Sequence, residues 1–347
     1  MRPPRFWYPP AADANEAAAG SAMAATTLAP LGWLYGRAGR LRQSWATPYA
    51  SPLPVICIGN LTVGGTGKTP VAIALADRLK SRGRRPVFLT RGYGGTAVGP
   101  VQADPTGHRV ADVGDEALLL AAHAPTVVAR DRADGARFAE RERLGDVIVM
   151  DDGFQNPGLA KTAALLVVDA HRGFGNGLCV PAGPLREPIA AGLARADAVI
   201  VMQRDGDRAN WRRPDSLAGC GKPVVNGWTE MLTPPQIHAQ RIVAFAGIGD
   251  PDKFFQTAEK LGVPVAARVP FPDHHVYGPD DAELLRVKAL RANAALVTTT
   301  KDATRLPVGF RKEVYVIEME VKFESNDTLD AVLTAALDRP GDAARAP

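Results

Sequence analysis

The fold of this chain is decided by the stretch Val55-Ile-Cys-Ile-Gly-Asn-Leu-Thr-Val-Gly-Gly-Thr-Gly-Lys-Thr69. Its first four residues are an apolar run, which predicts a short buried strand. Glycines and small polar residues follow, and a helix is predicted from Lys68 to about Arg82. In such a strand–loop–helix unit, loop N–H groups and the helix N-terminus attract phosphate oxygens. The stretch predicts a phosphate-binding loop made of Thr62, Val63, Gly64, Gly65, Thr66, Gly67, Lys68 and Thr69.

Lys68 and Thr69 are the residues of this loop that are expected to act on a bound nucleotide. In a P-loop the lysine reaches the β and γ phosphates, and the hydroxyl of the following residue ligates Mg²⁺. The general motif begins with glycine, whereas this chain has Thr62 there, so Gly64 and Gly65 are expected to supply the flexibility. A purely structural glycine turn is the alternative interpretation.

The chain after residue 50 alternates apolar runs with helical stretches. Short continuous apolar runs of this kind are typical of parallel strands that are buried on both faces. The pattern predicts an α/β fold of the P-loop NTPase type, with a parallel sheet and helices on both of its faces. Beyond the first strand, the predicted strands are Pro86 to Thr90, Thr126 to Ala129, Val147 to Met150, Ala164 to Val168 and Ala198 to Val201.

A second, smaller α/β domain is predicted from about Arg241, with strands at Ile242 to Ala246 and Ala294 to Thr299. Residues 224–232 and 313–321 also have strand composition. If these two strands pair, the chain leaves the first domain and returns to it. The predicted division is an N-terminal segment 1–50, a core 51–224, linker strands 225–237 and 313–324, a small domain 238–312 and a returning C-terminal helix 325–347.

The composition favours anionic partners and gives little sign of nucleic-acid binding. The 347 residues carry a net charge of +4 and have a pI near 9, which suits nucleotides, phospholipids or phosphorylated substrates. The dense basic stretches, Arg37 to Arg42 and Arg82 to Arg85, are not interleaved with aromatic residues. Three widely spaced cysteines predict neither a disulfide framework nor a zinc site, so a reducing cytoplasmic setting is favoured. No obligate protein partner is indicated.

The N-terminal segment has two interpretations. Residues 17–36 contain no charged residue, but they are mostly small, and Pro30 interrupts them. Leu28-Ala-Pro-Leu-Gly-Trp-Leu-Tyr35 followed by Arg37, Arg40 and Arg42 is typical of an interfacial segment, in which aromatic residues enter the headgroup region and arginines meet anionic lipid. A helix that packs on the domain is the other interpretation.

Asp151 and Asp152 follow the predicted strand at Val147. A P-loop protein needs a carboxylate at the end of a neighbouring strand to hold the hydrated metal ion. An Asp pair at a strand end can also cap a helix or a turn. Beside the predicted phosphate loop, the pair is predicted to bind Mg²⁺ together with Thr69.

Asp115, His274 and Arg186 are weaker candidates when each is considered alone. Gly114-Asp-Glu116 precedes an Ala/Leu-rich helix and is also what a helix N-terminus requires. His274 lies in a proline-flanked loop, where surface histidines are common. Arg186 follows a glycine-rich loop and either stabilises transferred charge or binds a surface carboxylate.

Taken in order, these stretches resemble one family, the tetraacyldisaccharide 4'-kinases (lipid A 4'-kinases). Thr62 at the first loop position agrees with the family pattern. With the Leu31-Gly-Trp-Leu-Tyr35 segment, the resemblance spans about residues 28 to 305. The matching stretches are Gly59 to Pro70, Arg91-Gly-Tyr-Gly-Gly95, Gly114-Asp-Glu116, Asp151-Asp-Gly-Phe-Gln155, Pro181-Ala-Gly-Pro-Leu-Arg-Glu187, Phe271-Pro-Asp-His274 and Thr300-Lys-Asp302.

The resemblance implies an enzyme that uses Mg²⁺ and ATP to phosphorylate the 4'-hydroxyl of a tetraacylated glucosamine disaccharide 1-phosphate in lipid A (lipopolysaccharide) biosynthesis. It implies that Asp115 is the general base, with His274 as its partner from the second domain. Arg186 would stabilise charge on the transferred phosphoryl group alongside Lys68. The resemblance also implies a peripheral enzyme at the cytoplasmic face of the inner membrane, with residues 1–50 as the membrane-associating segment.

Other classes of protein share single features with the chain. Gly64 to Thr69 match the deviant loop of partition-type switch ATPases, but Val63 replaces their signature lysine. Gly247-Ile-Gly249 suggests a dinucleotide-binding oxidoreductase, although the third glycine is missing. Thr300-Lys-Asp302 resembles a guanine-reading motif of GTPases.

Overall fold

The structure is a computed structural model that describes residues 4–9, 16–204, 208–232 and 236–338. Of the predicted segments, residues 1–3 and 10–15 of the N-terminal segment, 205–207 of the core, 233–235 of the linker and 339–347 of the C-terminal helix lie outside these ranges. The α-helices of the described residues are α1 (Glu16–Ser44), α2 (Lys68–Ser81), α3 (Val110–Val113), α4 (Asp115–Ala121), α5 (Arg132–Arg141), α6 (Ile189–Arg195), α7 (Pro251–Glu259), α8 (Pro279–Ala292), α9 (Thr300–Ala303), α10 (Val308–Arg311) and α11 (Asn326–Leu337).

A large mixed sheet forms the core domain. Its strands are β1 (Val55–Gly59), β2 (Pro86–Thr90), β3 (Val101–Gln102), β4 (Thr126–Val128), β5 (Val147–Asp151), β6 (Ala163–Asp169), β7 (Ala198–Gln203), β8 (Val224–Met231) and β13 (Met319–Phe323). They lie in the order β13-β8-β7-β6-β1-β5-β2-β4-β3. The pairs β13–β8 and β3–β4 at the two edges are antiparallel, and the inner pairs are parallel.

Helices cover both faces of the large sheet, which confirms the predicted P-loop NTPase-like α/β fold. On β1, Val55 and Cys57 face one core and Ile56 and Ile58 the other, because successive side chains of a strand point to opposite faces. Helices α5 and α6 pack on the first core, and α2 and α11 on the second. Complete burial on both faces explains why β1 is a continuous apolar run rather than an alternating one.

The small domain contains a parallel sheet with the order β10-β9-β11-β12. Its strands are β9 (Ile242–Ala246), β10 (Val265–Pro270), β11 (Ala295–Thr299) and β12 (Val314–Ile317). Helix α8 packs on one face through Leu285, and α7 packs on the other face through Phe254 and Phe255. The sheet therefore has the same layered architecture as the core domain at a smaller size.

The segment 313–324 does not form one linker strand. Val314–Ile317 pairs in parallel with β11 in the small sheet, whereas Met319–Phe323 pairs in an antiparallel manner with β8 in the large sheet. The apolar side chains of the two halves belong to different cores: Val314 and Ile317 to the small domain, and Val321 to the core domain. We propose that the linker strands are β8 and β13 alone, that residues 314–317 belong to the small domain, and that the other predicted boundaries stand.

Helix α1 packs on the core domain and also presents apolar side chains to solvent. Ala25, Gly32 and Gly36 are buried, and the two glycines lie against Cys179 and Pro188. Large apolar residues point outward; they are Met23, Leu31, Trp33, Leu34, Tyr35 and Leu41, followed by Trp45 just after the helix. Among the described residues, no helix combines the length and the apolar character that crossing a membrane requires.

Candidate active site

The predicted phosphate loop lies between β1 and α2, at the carboxyl ends of the parallel strands. Gly67 precedes the helix with φ +87°, a left-handed conformation that glycine adopts without a steric penalty. The first helical residues are then Lys68 and Thr69. The loop is fixed to the following segment, because Val63 N–H donates to Pro184 O at 2.8 Å. A phosphate at this place would meet loop N–H groups and the positive end of the α2 dipole.

Asn60 holds the loop in shape, and it is a residue whose role the sequence analysis did not predict. Its amide nitrogen donates to the hydroxyl of Thr66 at 3.1 Å, and it lies 3.4 Å from both the Thr62 hydroxyl and Gly64 O. Asn60 is fully buried. The only signal in the sequence was its place inside the Gly59 to Pro70 stretch, which gives no hint of this contact.

Thr69 and Asp151 form the candidate metal site. Parallel pairing sets Ile58 opposite Asp151, so the carboxylate emerges beside the loop. The Thr69 hydroxyl donates to Asp151 Oδ2 at 2.9 Å, and Asp151 Oδ1 is buried with no hydrogen-bond partner in the described part of the chain. Burial and the negative charge of Glu116 raise the pKa of Asp151 to about 7, against the opposing charge of Lys68. A hydroxyl and an unpartnered carboxylate oxygen fit a hard cation such as Mg²⁺.

Asp152 brings Lys68 and Arg186 together. Its Oδ1 lies 3.7 Å from Lys68 Nζ and accepts a hydrogen bond of 2.9 Å from Arg186 Nη1. Burial acts to raise the pKa of Asp152, but the charges of Lys68 and Arg186 prevail and hold it below its usual value. Asp152 has φ +50°, a conformation that is uncommon for a residue with a side chain. Of the two interpretations of Arg186, the structure shows contact with a carboxylate, and that carboxylate belongs to the site.

Asp115 and His274 meet across the two domains, 159 positions apart in sequence. His274 Nδ1 lies 3.1 Å from Asp115 Oδ2, and the side chain of Asp115 is only 3% exposed. Asp115 Oδ1 accepts the N–H of Glu116 at 2.9 Å, so one oxygen serves the helix N-terminus while the other faces His274. His274 has φ +58°, and its N–H donates to Gly247 O at 3.1 Å. Gly114 immediately precedes α4 with φ +88°.

Further residues surround this pair that the sequence analysis did not assign to the site. Lys301 Nζ and Arg305 Nε lie 3.8 Å and 3.6 Å from Asp115 Oδ2. The ring of Tyr93, from the Arg91 to Gly95 loop, has its centroid 5.7 Å from that of His274. Lys301 and Tyr93 fell within stretches that carry the family resemblance. Arg305 fell in none of them, so no sequence signal could have found it.

The candidate residues form two groups on the side of the large sheet where the parallel strands have their carboxyl ends. Lys68, Thr69, Asp151, Asp152 and Arg186 surround the phosphate loop. Asp115 and His274 form the second group, and Glu116 connects the two groups: its charge acts on Asp151, and its carboxylate lies 3.4 Å from Lys301 Nζ. The arrangement can bind a triphosphate beside a buried carboxylate with a histidine partner.

Fold and site together define a two-domain P-loop phosphotransferase. The family model described as "Tetraacyldisaccharide-1-P 4'-kinase" matches residues 24–338. This chain belongs to that family. The resemblance inferred from the sequence is thereby confirmed, and the switch ATPase is not favoured.

Individual relatives agree with this assignment over nearly the whole chain. A tetraacyldisaccharide 4'-kinase of Parvibaculum lavamentivorans is 51% identical over 310 residues, covering 88% of this chain and 87% of the relative. One of Dinoroseobacter shibae is 48% identical over 345 residues, 97% of each chain. The crystal structure of LpxK from Aquifex aeolicus in complex with ATP is similar with a TM-score of 0.73 and 26% identity, covering 90% of this chain and 99% of that one.

The remaining alternatives disagree with the contacts. Asp302 of the apparent guanine-reading motif is fully buried and accepts hydrogen bonds from Tyr277 and Gly247, so it does not face a nucleotide base. Gly247, which suggested a dinucleotide site, packs against the His274 loop through its carbonyl oxygen. Asp302 and Gly247 therefore serve contacts within the small domain.

Proposed function

We propose that this chain transfers the γ-phosphoryl group of ATP to the 4'-hydroxyl of a tetraacylated glucosamine disaccharide 1-phosphate, a step of lipid A biosynthesis. The observation that carries the proposal is the pairing of the buried Asp115 with the partly exposed His274 beside the P-loop, at 3.1 Å. A switch ATPase needs no base for an organic hydroxyl, whereas a kinase does. Membership of the kinase family supports the same conclusion.

Lys68 and Arg186 are proposed to stabilise the charge of the transferred group. Both contact Asp152, which orients them toward the end of the loop. The loop N–H groups and the α2 dipole are positioned to hold the phosphate chain, so charge that develops in the transition state meets fixed positive groups. Arg186 is also within 3.4 Å of Gln155, whose amide nitrogen donates to Asn60 O at 2.8 Å. Through these contacts Gln155 links Arg186 to Asn60 at the start of the phosphate loop.

Thr69 and Asp151, with Asp152 beside them, are proposed to hold Mg²⁺. The unpartnered oxygen of Asp151 is the observation that favours a cation here. When bound, Mg²⁺ neutralises charge on the phosphate oxygens. The Thr69 hydroxyl is already aligned with Asp151 at 2.9 Å.

Asp115 is proposed as the general base. Burial acts to raise its pKa, but the hydrogen bond from His274 and the charges of Lys301 and Arg305 prevail, so its pKa is lowered and it stays ionised. The acceptor O–H bond breaks and its proton passes to Asp115, while the new O–P bond forms and the bond from phosphorus to the ADP oxygen breaks. Before this transfer His274 orients Asp115 through Nδ1–H, because the ionised carboxylate accepts that hydrogen bond.

The exposed side of α1 is proposed to contact the cytoplasmic surface of the inner membrane, where an acylated substrate would reside. Trp33 is 60% exposed and Tyr35 47% exposed, although both are large apolar or aromatic residues. The Arg37 guanidinium lies over the Trp33 ring at 4.9 Å. Aromatic residues with neighbouring arginines suit the headgroup region of an anionic bilayer. No sequence feature of the chain requires a nucleic acid or another protein.

The proposed reaction is tested with γ-labelled ATP, Mg²⁺ and a tetraacylated disaccharide 1-phosphate in mixed micelles. We expect label on the 4'-oxygen of the lipid. Lys68→Ala should lower the rate by a factor of about 10² or more, because it removes transition-state charge stabilisation. Lys80→Ala near the far end of the same helix is the control. Hydrolysis of ATP without labelled lipid would support the switch ATPase instead.

Membrane contact is tested by flotation with vesicles that contain anionic phospholipid. The variant Trp33→Ser/Leu34→Ser/Tyr35→Ser should lose vesicle binding and keep its thermal stability, since these side chains point away from the core domain. The matched control replaces the exposed Leu290 of α8 with Ser. Equal binding by the parent and the triple variant would contradict the proposed face.

A further inference from the structure

Asp302 is the centre of a hydrogen-bond network inside the small domain. It has no exposed surface. Its Oδ1 accepts from Gly247 N–H at 2.9 Å, from the Tyr277 hydroxyl at 2.8 Å and from Arg305 Nη2 at 2.9 Å. Its Oδ2 accepts from the Thr299 hydroxyl at 2.6 Å. A buried carboxylate with this many donors has a fixed orientation, and it fixes the position of the groups that bind it.

The hydrogen bonds around Asp302 direct the Arg305 side chain toward the core domain. This side chain is also without exposed surface. Besides Asp302, the guanidinium donates to Gly247 O at 3.0 Å, His275 O at 3.3 Å and Lys301 O at 3.3 Å. These contacts leave the guanidinium one orientation, in which Nε lies 3.6 Å from Asp115 Oδ2. The ion pair with Asp302 would be enough to compensate the charge of a buried arginine. The additional approach of Arg305 to Asp115 therefore calls for a separate explanation.

Lys301 adds a second charge from the same turn. Its ammonium group lies 3.8 Å from Asp115 Oδ2 and 3.4 Å from Glu116 Oε1, and its side chain is 24% exposed. The side chain therefore bridges the two acidic residues that begin α4. Together with His274, cations of the small domain approach a single oxygen atom of the core domain.

We propose that Lys301 and Arg305 are positioning residues for the general base: they keep Asp115 an anion that faces His274, and they do so only while the small domain lies against the core domain. Asp115 is then able to accept a proton from a hydroxyl group only when the two domains are in contact. The inference deepens the proposed function, on which it rests for the role of Asp115.

The need for these cations follows from the burial of Asp115. A carboxyl group with 3% exposure loses most of its hydration, and burial acts to raise the pKa of such a group. A protonated Asp115 could not accept the proton of the substrate. Among the described residues, the charged or titratable groups that face this site are Glu116 on α4 itself, Tyr93 against the His274 ring, His274 with Asp273 beside it, Lys301, and Arg305 with its partner Asp302.

A salt bridge of Lys301 with Glu116 that merely joins the two domains is the competing explanation. It predicts that loss of Lys301 weakens the protein or its activity equally at every pH. The positioning role predicts a change in the pH profile, because Asp115 then protonates more easily. Lys301 is the better residue to replace, since its partly exposed side chain is outside the buried network of Asp302.

The kinetic test compares the kcat profile of Lys301→Gln with that of the parent. The acid limb should move to higher pH, so that the ratio of variant to parent activity falls about tenfold between about pH 8 and about pH 5. KM for ATP should stay nearly constant. Lys312→Gln, which removes the same charge from an exposed site of the small domain, should follow the parent. A profile of Lys301→Gln that is parallel to that of the parent would overturn the inference.

A second measurement needs no substrate and separates this inference from the proposed function. In protein labelled with ¹³C at the aspartate carboxyl carbons, the Asp115 signal is the one that is missing in Asp115→Asn. It should titrate at higher pH in Lys301→Gln than in the parent and Lys312→Gln. An unchanged titration would overturn the inference even if lipid is phosphorylated, and a shifted one supports it even if the lipid acceptor proves wrong.

Arg305→Lys distinguishes charge from geometry. It keeps the positive charge but loses the planar fork that binds Gly247, His275 and Asp302. We expect kcat to fall at every pH by a factor of about ten while the acid limb stays near that of the parent. Activity equal to that of the parent would contradict the positioning role of Arg305. If this variant does not fold, the two Lys301→Gln measurements decide the inference.

Discussion

At the scale of single residues, Asp115 performs two tasks with its two oxygens. Oδ1 accepts an N–H group at the start of its own helix, and Oδ2 faces His274 and the cations of the small domain. The sequence Gly114-Asp-Glu116 can be interpreted both as a helix N-terminus and as a catalytic element. Asp115 fits both interpretations, one with each oxygen. His274 is held in a left-handed conformation, which costs about 1 kcal/mol and requires support from its surroundings.

The partnership of Asp115 and His274 predicts non-additive kinetics. Asp115→Asn and His274→Ala should each lower kcat by a factor of about 10² to 10⁴ and should change ATP affinity much less. The double variant should lose little beyond the worse single variant, because residues that act as a unit are not additive. The measurement is steady-state kinetics of a double-mutant cycle, with the exposed His123→Ala as control. Losses that multiply would show that the two residues act independently.

Local pattern alone predicted the phosphate loop but not this pair. The residues of the loop are consecutive, so the sequence displays the whole unit together. Asp115 and His274 are distant in sequence and were assigned only through resemblance to a family. Arg305 could not be predicted in either way, because its role depends on the path of its guanidinium past Gly247 and Asp302.

At the scale of elements, α1 contacts the core domain by close approach of its backbone. A Cβ atom at Gly32 would lie 2.5 Å from the carbonyl oxygen of Cys179. At Gly36 the neighbours are Cys179 Sγ and Pro188. Glycines one turn apart therefore leave room for the Cys179 to Pro188 segment, which contains Arg186 and the Pro184 carbonyl that holds the phosphate loop.

Two of the glycines of α1, Gly32 and Gly39, predict opposite effects of the same substitution. Gly32→Ala should destabilise the protein by about 1–3 kcal/mol, since a backbone oxygen must move. Gly39→Ala should stabilise it by up to about 1 kcal/mol, because alanine favours the helix and no described atom lies within 4 Å of the new Cβ. Chemical denaturation of both variants measures the difference. A gain of stability from Gly32→Ala would contradict the packing of α1.

The strands of the core were predictable because each is a short apolar run with a clear end. The segment 313–324 was not, since both of its halves have the same strand composition. Only the tertiary structure separates them: Ile317 completes the small domain, and Val321 packs beside α2 and α11. The local sequence pattern does not indicate in which of the two cores a strand is buried.

At the scale of the whole molecule, the stability of the core domain depends on keeping its central strand uncharged. Cys57 on β1 has no exposed surface, and burial raises the pKa of its thiol from 9.0 to about 11. The unfolded chain therefore releases the thiol proton at lower pH than the folded chain. The stabilising difference is complete below about pH 9 and is lost as the pH rises toward 11.

This linkage predicts that Cys57→Ala has a flatter dependence of unfolding free energy on pH than the parent between about pH 9 and pH 11. Across that range the unfolding free energy of the parent should fall by on the order of 2 kcal/mol more than that of Cys57→Ala. Denaturation at several pH values measures it, and Cys220→Ala, at a partly exposed cysteine, is the control. Parallel curves for the parent and Cys57→Ala would show that the thiol has the same pKa in the folded and unfolded states.

The neighbouring positions of β8 and β13 make the small domain an excisable insertion. Met231 pairs with Met319, and Leu232 N–H donates to Glu318 O at 3.0 Å, so the chain departs and re-enters through adjacent strands. A tight hairpin turn in place of residues 232–318 would join the two strands without disturbing the large sheet. The shortened protein would retain the nucleotide cradle yet lack His274, Lys301 and Arg305, which makes it an autonomous binder in which ATP recognition is uncoupled from phosphorylation.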